Sequence, residues 1–308
     1  MPAPGREAAN PRPRSRQPPA AKPPTPGREA ARPRPRSSLT SATLTDALPP
    51  AAVPAAVYDE TYYLSHCMGY EEWRDSDGAR MGAQYEGVLE HKVALRSGQA
   101  LLDIGAGRGE LVVAAAARGA RAVGVEYSAT AVELSRKTLE AHGNPEGASV
   151  ILADARALPL PDGDFDVVTM LDVIEHLTPA EQAAVLAQAR RVLRPGGRLH
   201  VHTAPNRLIY EATYRLQRVV RPSRLRRWPR QPRHEYELTM HVGEHSARSL
   251  RRALAAAGFD PVRVTHGEWV YESFVPDEGA RKLYWRLAAH RVTKPLGVAD
   301  LWGVAVRP

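Results

Sequence analysis

The sequence predicts an α/β fold built on a mostly parallel sheet with helices on both faces. Two observations carry this. Apolar segments of strand length recur seven times after residue 99, most of them separated by helical stretches. These segments are continuously apolar rather than alternating, which is the pattern of strands covered on both sides.

The first 56 residues stand apart. Residues 1–50 are dominated by Pro, Arg, Ala, Ser and Thr, with no aromatic residue and three leucines. Such a stretch cannot bury enough apolar surface to offset its ordering entropy, so 1–56 reads as a disordered tail. It contains a repeat, PGREAANPRPRSR at 4–16 and PGREAARPRPRSS at 26–38, but neither copy has an apolar face to stack. The tail also holds most of the charge. Nine Lys/Arg against three Asp/Glu place +6 of the formal +8 in residues 1–50. The remainder is nearly balanced, so the basic composition gives no ground for nucleic-acid binding by the folded part.

Cys67 is the single cysteine, which excludes an intrachain disulfide framework and a cysteine-rich zinc site. No apolar run approaches a membrane span; the longest is LVVAAAA at 111–117. The N-terminus has arginines but no apolar signal core, so a cytoplasmic protein is expected.

Residues 57–98 read as a helical cap. YDETYYLSHCMGYEEW (58–73) suggests short helices, and 80–95 continues with Met81, Tyr85, Val88, Leu89 and Lys92 at helical spacing. Residues 99–308 carry the alternation. Strand 1 is expected at 100–106, followed by a helix over 109–118. Strand 2 covers 121–128 and its helix 129–142. Strands 3 and 4 fall at 148–155 and 165–172, with a helix over 179–193. PGG at 195–197 turns into strand 5 at 198–205. From 206 to 245 the alternation lapses in an Arg-rich insertion. A helix at 249–259 ends at Gly258, strand 6 spans 262–270, a helix lies near 277–291, and strand 7 spans 300–307.

The chemistry begins at LLDIGAGRGEL (101–111). Asp103 closes strand 1, and Gly105, Gly107 and Gly109 form the turn into a helix whose first N–H groups are free for a ligand. A dinucleotide fingerprint needs G-x-G-x-x-G, whereas here the third glycine comes one residue early. Glu126 ends strand 2, 17 residues after Gly109, where a carboxylate can accept both hydroxyls of a ribose. That spacing, D-x-G-x-G-x-G and then an acid, is the S-adenosylmethionine form.

LLDIGAGRGEL, VEYS, DARALPLPDGDFDVVTMLDVIEHL and RVLRPGGRLHVHTAPN together resemble the class I S-adenosylmethionine-dependent methyltransferases, in particular the subgroup related to ubiquinone- and menaquinone-biosynthesis methyltransferases. The resemblance covers residues 101–205. It implies a Rossmann-like seven-stranded sheet with strand 7 antiparallel. It implies that Asp103 and Gly105 face the methionine part of the cofactor, that Glu126 holds the ribose with Tyr127 beside the adenine, that Asp154 and Ala155 meet the adenine edge, and that Leu171 contacts the cofactor from strand 4.

Asp172, Glu175 and His176 in LDVIEHL leave three readings open: a capping box with Asp172 at the N-cap and Glu175 at N3, His176 as a general base, or a divalent cation site of all three, as in some quinone-pathway relatives. His200 and His202 alternate on strand 5 and share a face, but neither they nor His234, His241 and His245 match a zinc helix spacing. His241 lies just before the last large helical segment and is a second candidate base. Between 207 and 233 stand nine arginines and one acid, Glu211, with Tyr210, Tyr214 and Trp228 interleaved. This segment reads as a solvated face, a membrane-surface element beside Leu216, Val219 and Val220, or a lid favouring an anionic acceptor.

The expected activity is methyl transfer to a small-molecule, lipid or glycan acceptor. The rivals are a cofactor-binding partner or regulatory protein without turnover and a nucleic-acid methyltransferase. LDVI at the end of strand 4, where an amino-methylating nucleic-acid enzyme carries N/D-P-P-Y/F, counts against the second.

Overall fold

The computed structural model describes residues 48–67, 69–82, 85, 87–220, 223, 227–233, 235–270 and 277–308. All seven strands form one sheet: β1 (Ala100–Ile104), β2 (Arg121–Glu126), β3 (Ala148–Leu152), β4 (Phe165–Leu171), β5 (Leu193–Thr203), β6 (Val262–His266) and β7 (Leu301–Val306). Their order is β3-β2-β1-β4-β5-β7-β6. The first five pair in parallel, and β7 runs antiparallel to both β5 and β6. The order reverses between β1 and β4, so the crevice at the carboxyl ends of those strands is the place where such a sheet binds ligands.

The helices are α1 (Glu60–Ser65), α2 (Tyr70–Arg74), α3 (Glu110–Ala117), α4 (Ala129–Ala141), α5 (Pro179–Val192), α6 (Arg215–Val220), α7 (Glu235–Met240), α8 (Ala247–Ala256), α9 (Glu278–Ala289) and α10 (Lys294–Gly297). None of the described helices is long and apolar enough to cross a membrane.

Two cores follow from the period of the strands. Leu102, Ile104, Val168 and Met170 point to one face and pack with Val185, Leu186 and Ala189 of α5 and with Leu250 and Leu254 of α8. Their neighbours Leu101 and Val167 point to the other face and meet Leu111 and Val112 of α3. Helix α3 is apolar on every side and is buried through Ala116, whereas α8 is strongly one-sided and buries only Leu250 and Leu254. The start of α5 is fixed locally. Thr178 and Glu181 form a reciprocal capping box and Pro179 takes the first helical position.

Several expectations need correction. The helix read over 80–95 is a π-helix at Val88–Val93. Its wider turn buries Val93 beside Leu89 and leaves Lys92 exposed, 5.4 Å over the ring of Trp302. PGG at 195–197 does not precede β5 but bulges from it. Phe165 pairs with Leu193 and Val167 with Arg198, so the three residues loop out between two register positions. Strand 6 ends at His266 rather than 270, because the backbone beyond it turns to bond Asp300. The insertion 206–245 is not irregular throughout. A π-helix (Ile209–Tyr214), α6 and α7 lie in it. Its Tyr210, Tyr214 and Trp228 join Tyr284, Ala280 and Val270 in a separate small core, which explains aromatics among arginines without any nucleic acid.

The tail expected over 1–56 falls outside the described residues up to 47. Residues 48–56 are described and packed: Val53 is buried, and the Ala52 N–H donates to Glu181 Oε1 at 2.9 Å. One valine and one backbone hydrogen bond are enough to dock a segment that composition alone assigns to the tail.

The capping box at α5 yields a stability prediction. Thr178→Ala removes the side chain that accepts from the Glu181 N–H at 3.4 Å. It should cost about 1 kcal/mol in denaturant unfolding with an unchanged m-value.

Candidate active site

A cavity of about 1130 Å³ opens at the carboxyl ends of β1, β2 and β4. Its wall contains Asp103, Gly105, Gly107, Glu126, Tyr127, Asp154, Ala155, Leu171, Asp172, Glu175, His176 and His241. Gly109 does not line it. A Cβ at Gly109 would lie 2.9 Å from Ser135 Cβ, so this glycine, at φ +76°, serves the packing of α3 against α4. Gly107 is different. With φ +54°, its added Cβ would meet only Tyr63 at 3.8 Å, so the backbone there borders open space.

Glu126 is the anchor of this end. Its Oε1 accepts from the Tyr63 hydroxyl at 3.2 Å and the Gly107 N–H at 3.3 Å. Its Oε2 accepts from the N–H groups of Tyr127 and Ser128. Burial pushes its carboxyl up from the usual range, against the pull of these donors. Both bonds to Oε1 are long, as is the one from Ser128 to Oε2 at 3.2 Å. Asp103 is buried at the end of β1 with Thr169 Oγ1 donating to it at 2.7 Å, and burial raises it to about 7. Asp154 caps the single turn Ala155–Ala157, and Arg156 holds both its carboxylate oxygens. Arg156 also reaches Glu181 at 3.3 Å.

The N-terminal residues close this end. Arg108 donates to the Tyr63 carbonyl at 2.7 Å and pairs with Glu110 at 2.8 Å, both side chains being buried. Trp73 Nε1 donates to Thr138 Oγ1 at 2.7 Å, and Ser128 Oγ to the Tyr58 carbonyl at 2.7 Å. α1 and α2 are thereby fixed onto α4 and the glycine turn. The aromatic run YDETYYLSHCMGY was the available signal, but which tyrosine meets which acid is a tertiary fact.

The other end holds a cluster of titratable groups. Asp172 does not cap a helix. It takes φ +54°, and a 3-10 turn, Ile174–His176, follows without a side-chain cap. The expected box with Glu175 therefore does not form; the box lies six residues on, at Thr178 and Glu181. The turn frees Asp172 to reach His202 Nδ1 at 2.8 Å, with its side chain 48% exposed into the cavity. Glu175 is buried and accepts from Thr203 Oγ1 at 2.8 Å. Burial and the charge of Asp172 push it up to about 7.

His176 and His241 meet edge to face at 4.8 Å. Burial, then the charge of His241, lowers His176 to about 3, and its Nδ1 has no hydrogen-bond partner. For His241 burial works downward but is overcome by the bond to Glu244 and the charge of Glu175, so it is raised above 6.5. Glu244 Oε1 lies 3.3 Å from His241 Nδ1. A carboxylate only accepts, so Nδ1 carries the proton and Nε2 keeps the lone pair in the neutral ring. Glu175, His176 and His241 also bring potential metal-ligand atoms within 4.8 Å of one another. Asp172, expected in that set, is instead committed to His202.

His202 was set aside at the level of sequence. It stands between Asp172 and Asp300, the latter at 3.5 Å from Nε2, and lines the cavity with Trp302. Burial would lower it, but the two carboxylates raise it to about 10. His200, on the same face of β5, is buried with neither ring nitrogen partnered, and burial lowers it to about 4. His245 bonds Gln182 and Ser249 rather than the cavity, and His234 lies outside the described residues. In the segment 207–233, Arg207 pairs with Glu211 at 2.8 Å, and Arg233 with Glu244 at 3.1 Å. Among the described residues the arginines of this segment leave the cavity wall to others, and Arg221, Arg224 and Arg226 lie outside the described residues.

Residues 102–201 match the family model described as a methyltransferase domain. Over 117 residues the chain is 35% identical to the ubiquinone/menaquinone biosynthesis C-methyltransferase UbiE of Hahella chejuensis, covering 36% of this chain and 45% of that one. Over 112 residues it is 40% identical to the 27-O-demethylrifamycin SV methyltransferase of Amycolatopsis mediterranei, covering 36% and 40%. The chain thus spans less than half the length of these curated relatives. Geranyl diphosphate methyltransferase in complex with S-adenosylmethionine is similar in fold, with TM-score 0.52 and 20% identity over 81% of this chain and 96% of that one. The resemblance read from the motifs holds over the matched stretch.

The His202 triad predicts a pH dependence of stability. A histidine raised to about 10 contributes stability that is fully present below its ordinary 6.5 and lost as pH climbs to 10. His202→Gln should therefore be less stable than wild type near pH 6.5, with the gap closing toward pH 10. Thermal melts across that window decide it; a constant gap would deny the charge on His202.

Proposed function

We propose that this chain, whose residues 102–201 match a methyltransferase domain, transfers the methyl group of S-adenosylmethionine to a hydroxyl of a small, apolar acceptor. One observation carries the reading. A single cavity holds a ribose-type acid, Glu126, at one end and a carboxylate with two imidazoles, Glu175, His176 and His241, at the other.

The residues present fit the cofactor. Gly107 borders open space, Glu126 offers Oε1, and the N-terminus of α3 faces the same turn. Asp103 and Gly105 would take the methionine part, Glu126 the ribose with Tyr127 beside it, Asp154 and Ala155 the adenine edge, and Leu171 the side facing the acceptor. When bound, S-adenosylmethionine supplies a methyl already activated on a sulfonium.

The chain's own residues then have to align the acceptor, exclude water and take a proton. His241 is the base. Glu244 fixes its tautomer, and its raised pKa keeps it a competent acceptor, whereas His176 at about 3 binds a proton poorly. His176 acts as a neutral wall and hydrogen-bonding group. The hydroxyl proton would pass to His241 Nε2 as the acceptor oxygen takes the methyl and the methyl–sulfur bond breaks, its electron pair staying on sulfur.

The acceptor is apolar because the remaining wall is aromatic. Tyr58, Tyr62, Tyr236, Trp269 and Trp302 line the cavity, and Arg108 and Arg156 there are both ion-paired. The named relatives are a ubiquinone/menaquinone biosynthesis C-methyltransferase and a 27-O-demethylrifamycin SV methyltransferase, which favours a small-molecule acceptor.

Glu126→Gln should weaken S-adenosylmethionine binding by about 1.5–3 kcal/mol in calorimetry, the worth of hydrogen bonds to a charged group. Undiminished affinity removes Glu126 from the ribose. For the base, kcat/KM on a hydroxylated acceptor should rise with pH through a value above 6.5. Glu244→Gln should lower both that value and the plateau, and a profile identical to wild type rejects His241.

A further inference from the structure

We propose that the lobe built on α6, α9 and α10 docks on an anionic membrane surface, independently of the methyl-transfer reading. Helix α6 is inside out. Its polar Gln217 is buried, while Leu216, Val219 and Val220 are 62%, 68% and 67% exposed. Positions 216, 219 and 220 have helical i, i+3, i+4 spacing, so the three form one apolar stripe facing solvent. A soluble surface has no use for that arrangement, because leaving two valines and a leucine in water costs free energy.

The stripe has company. Leu296 of α10 is exposed, and its carbonyl accepts from Thr213 Oγ1 at 2.9 Å, one turn before the stripe begins. Leu283 and Trp285 of α9 and Val292 are exposed as well, Val292 at 78%. Tyr284 between them is buried in the core that also holds Tyr214, so α9 belongs to the same lobe as α6. Of the twelve large hydrophobic side chains exposed among the described residues, seven stand in these three helices and the turn joining α9 to α10.

The charge says which surface they meet. Arg215, Arg227, Arg230, Arg286 and Arg291 are exposed in the same stretch, against Asp277, which caps α9, and Glu211 and Glu278, which pair with Arg207 and Lys282. Exposed apolar residues interleaved with arginines match a bilayer whose headgroups carry negative charge: the side chains enter the acyl boundary and the guanidinium groups meet phosphates. A water-soluble protein partner would not require so one-sided a charge, and an RNA would not use the stripe. The lobe also supplies the turn next to the cavity wall, since Val270 lies in its core and Trp269 lines the cavity.

The full chain should co-float with vesicles of phosphatidylcholine mixed with phosphatidylglycerol and not with phosphatidylcholine alone. Substituting Leu216→Ser, Val219→Ser and Val220→Ser together should cut partitioning by about tenfold or more at fixed ionic strength. The triple variant should keep its melting temperature and its affinity for S-adenosylmethionine. Val219→Trp should strengthen partitioning, a gain that misfolding cannot imitate. Failure to bind phosphatidylglycerol vesicles overturns the proposal. So does undiminished binding by the triple variant, which would assign adhesion to the basic N-terminal residues alone. Loss of self-association in the triple variant, or binding of a single-stranded RNA that depends on the stripe, would likewise replace the bilayer with another occupant.

Discussion

The site depends on a buried carboxylate at the end of β2. Glu126 accepts from Gly107 in the turn after β1, from Tyr127 and Ser128 in the turn after β2, and from Tyr63 in α1. Three separate pieces of chain converge on two oxygen atoms. An unpaired charge at that depth would cost several kcal/mol, so the donors are obligatory and each backbone turn is held where its N–H can reach. The cavity keeps its shape because its floor and one wall are tied to the same group. Buried Arg108 repeats the device, joining Glu110 at the start of α3 to the backbone of Tyr63.

Opposite this anchor lies a chain of titratable groups with divided tasks. The pair of carboxylates at Asp172 and Asp300 holds His202 charged and therefore acts as scaffold. His241 is held by Glu244, and that bond with the charge of Glu175 raises it above 6.5 against the effect of burial. His176 between them is kept neutral by burial. Environments that push neighbouring histidines apart let one serve structure and another serve chemistry.

Much of this was legible in the sequence. The seven strands and the glycine turn follow from local apolar patterning and spacing, and Asp103, Gly105, Gly107 and Glu126 reach one cavity as the motif implies. Misreadings arose where local rules met tertiary demands. Asp172 followed by Glu175 satisfies the capping rule in one dimension, yet Asp172 adopts a left-handed conformation to reach His202 on the next strand. His202 looked like an ordinary strand histidine because its second partner, Asp300, lies nearly a hundred residues away. Lys92 seemed part of a helical face until a π-helix shifted the period and brought Val93 inward. The aromatics among the arginines of 207–233 fill a core with Tyr284 and Val270, a partnership that linear spacing does not show.

The central claim is that Glu126 exchanges an internal donor for a ribose. A crystal structure of the full chain with S-adenosylhomocysteine tests it most directly. Ribose hydroxyls are expected on the Glu126 carboxylate, with the Tyr63 hydroxyl displaced from Oε1 and the sulfur end directed toward Leu171 and the His176–His241 pair. A ligand bound elsewhere, with the Tyr63–Glu126 hydrogen bond intact, would contradict it.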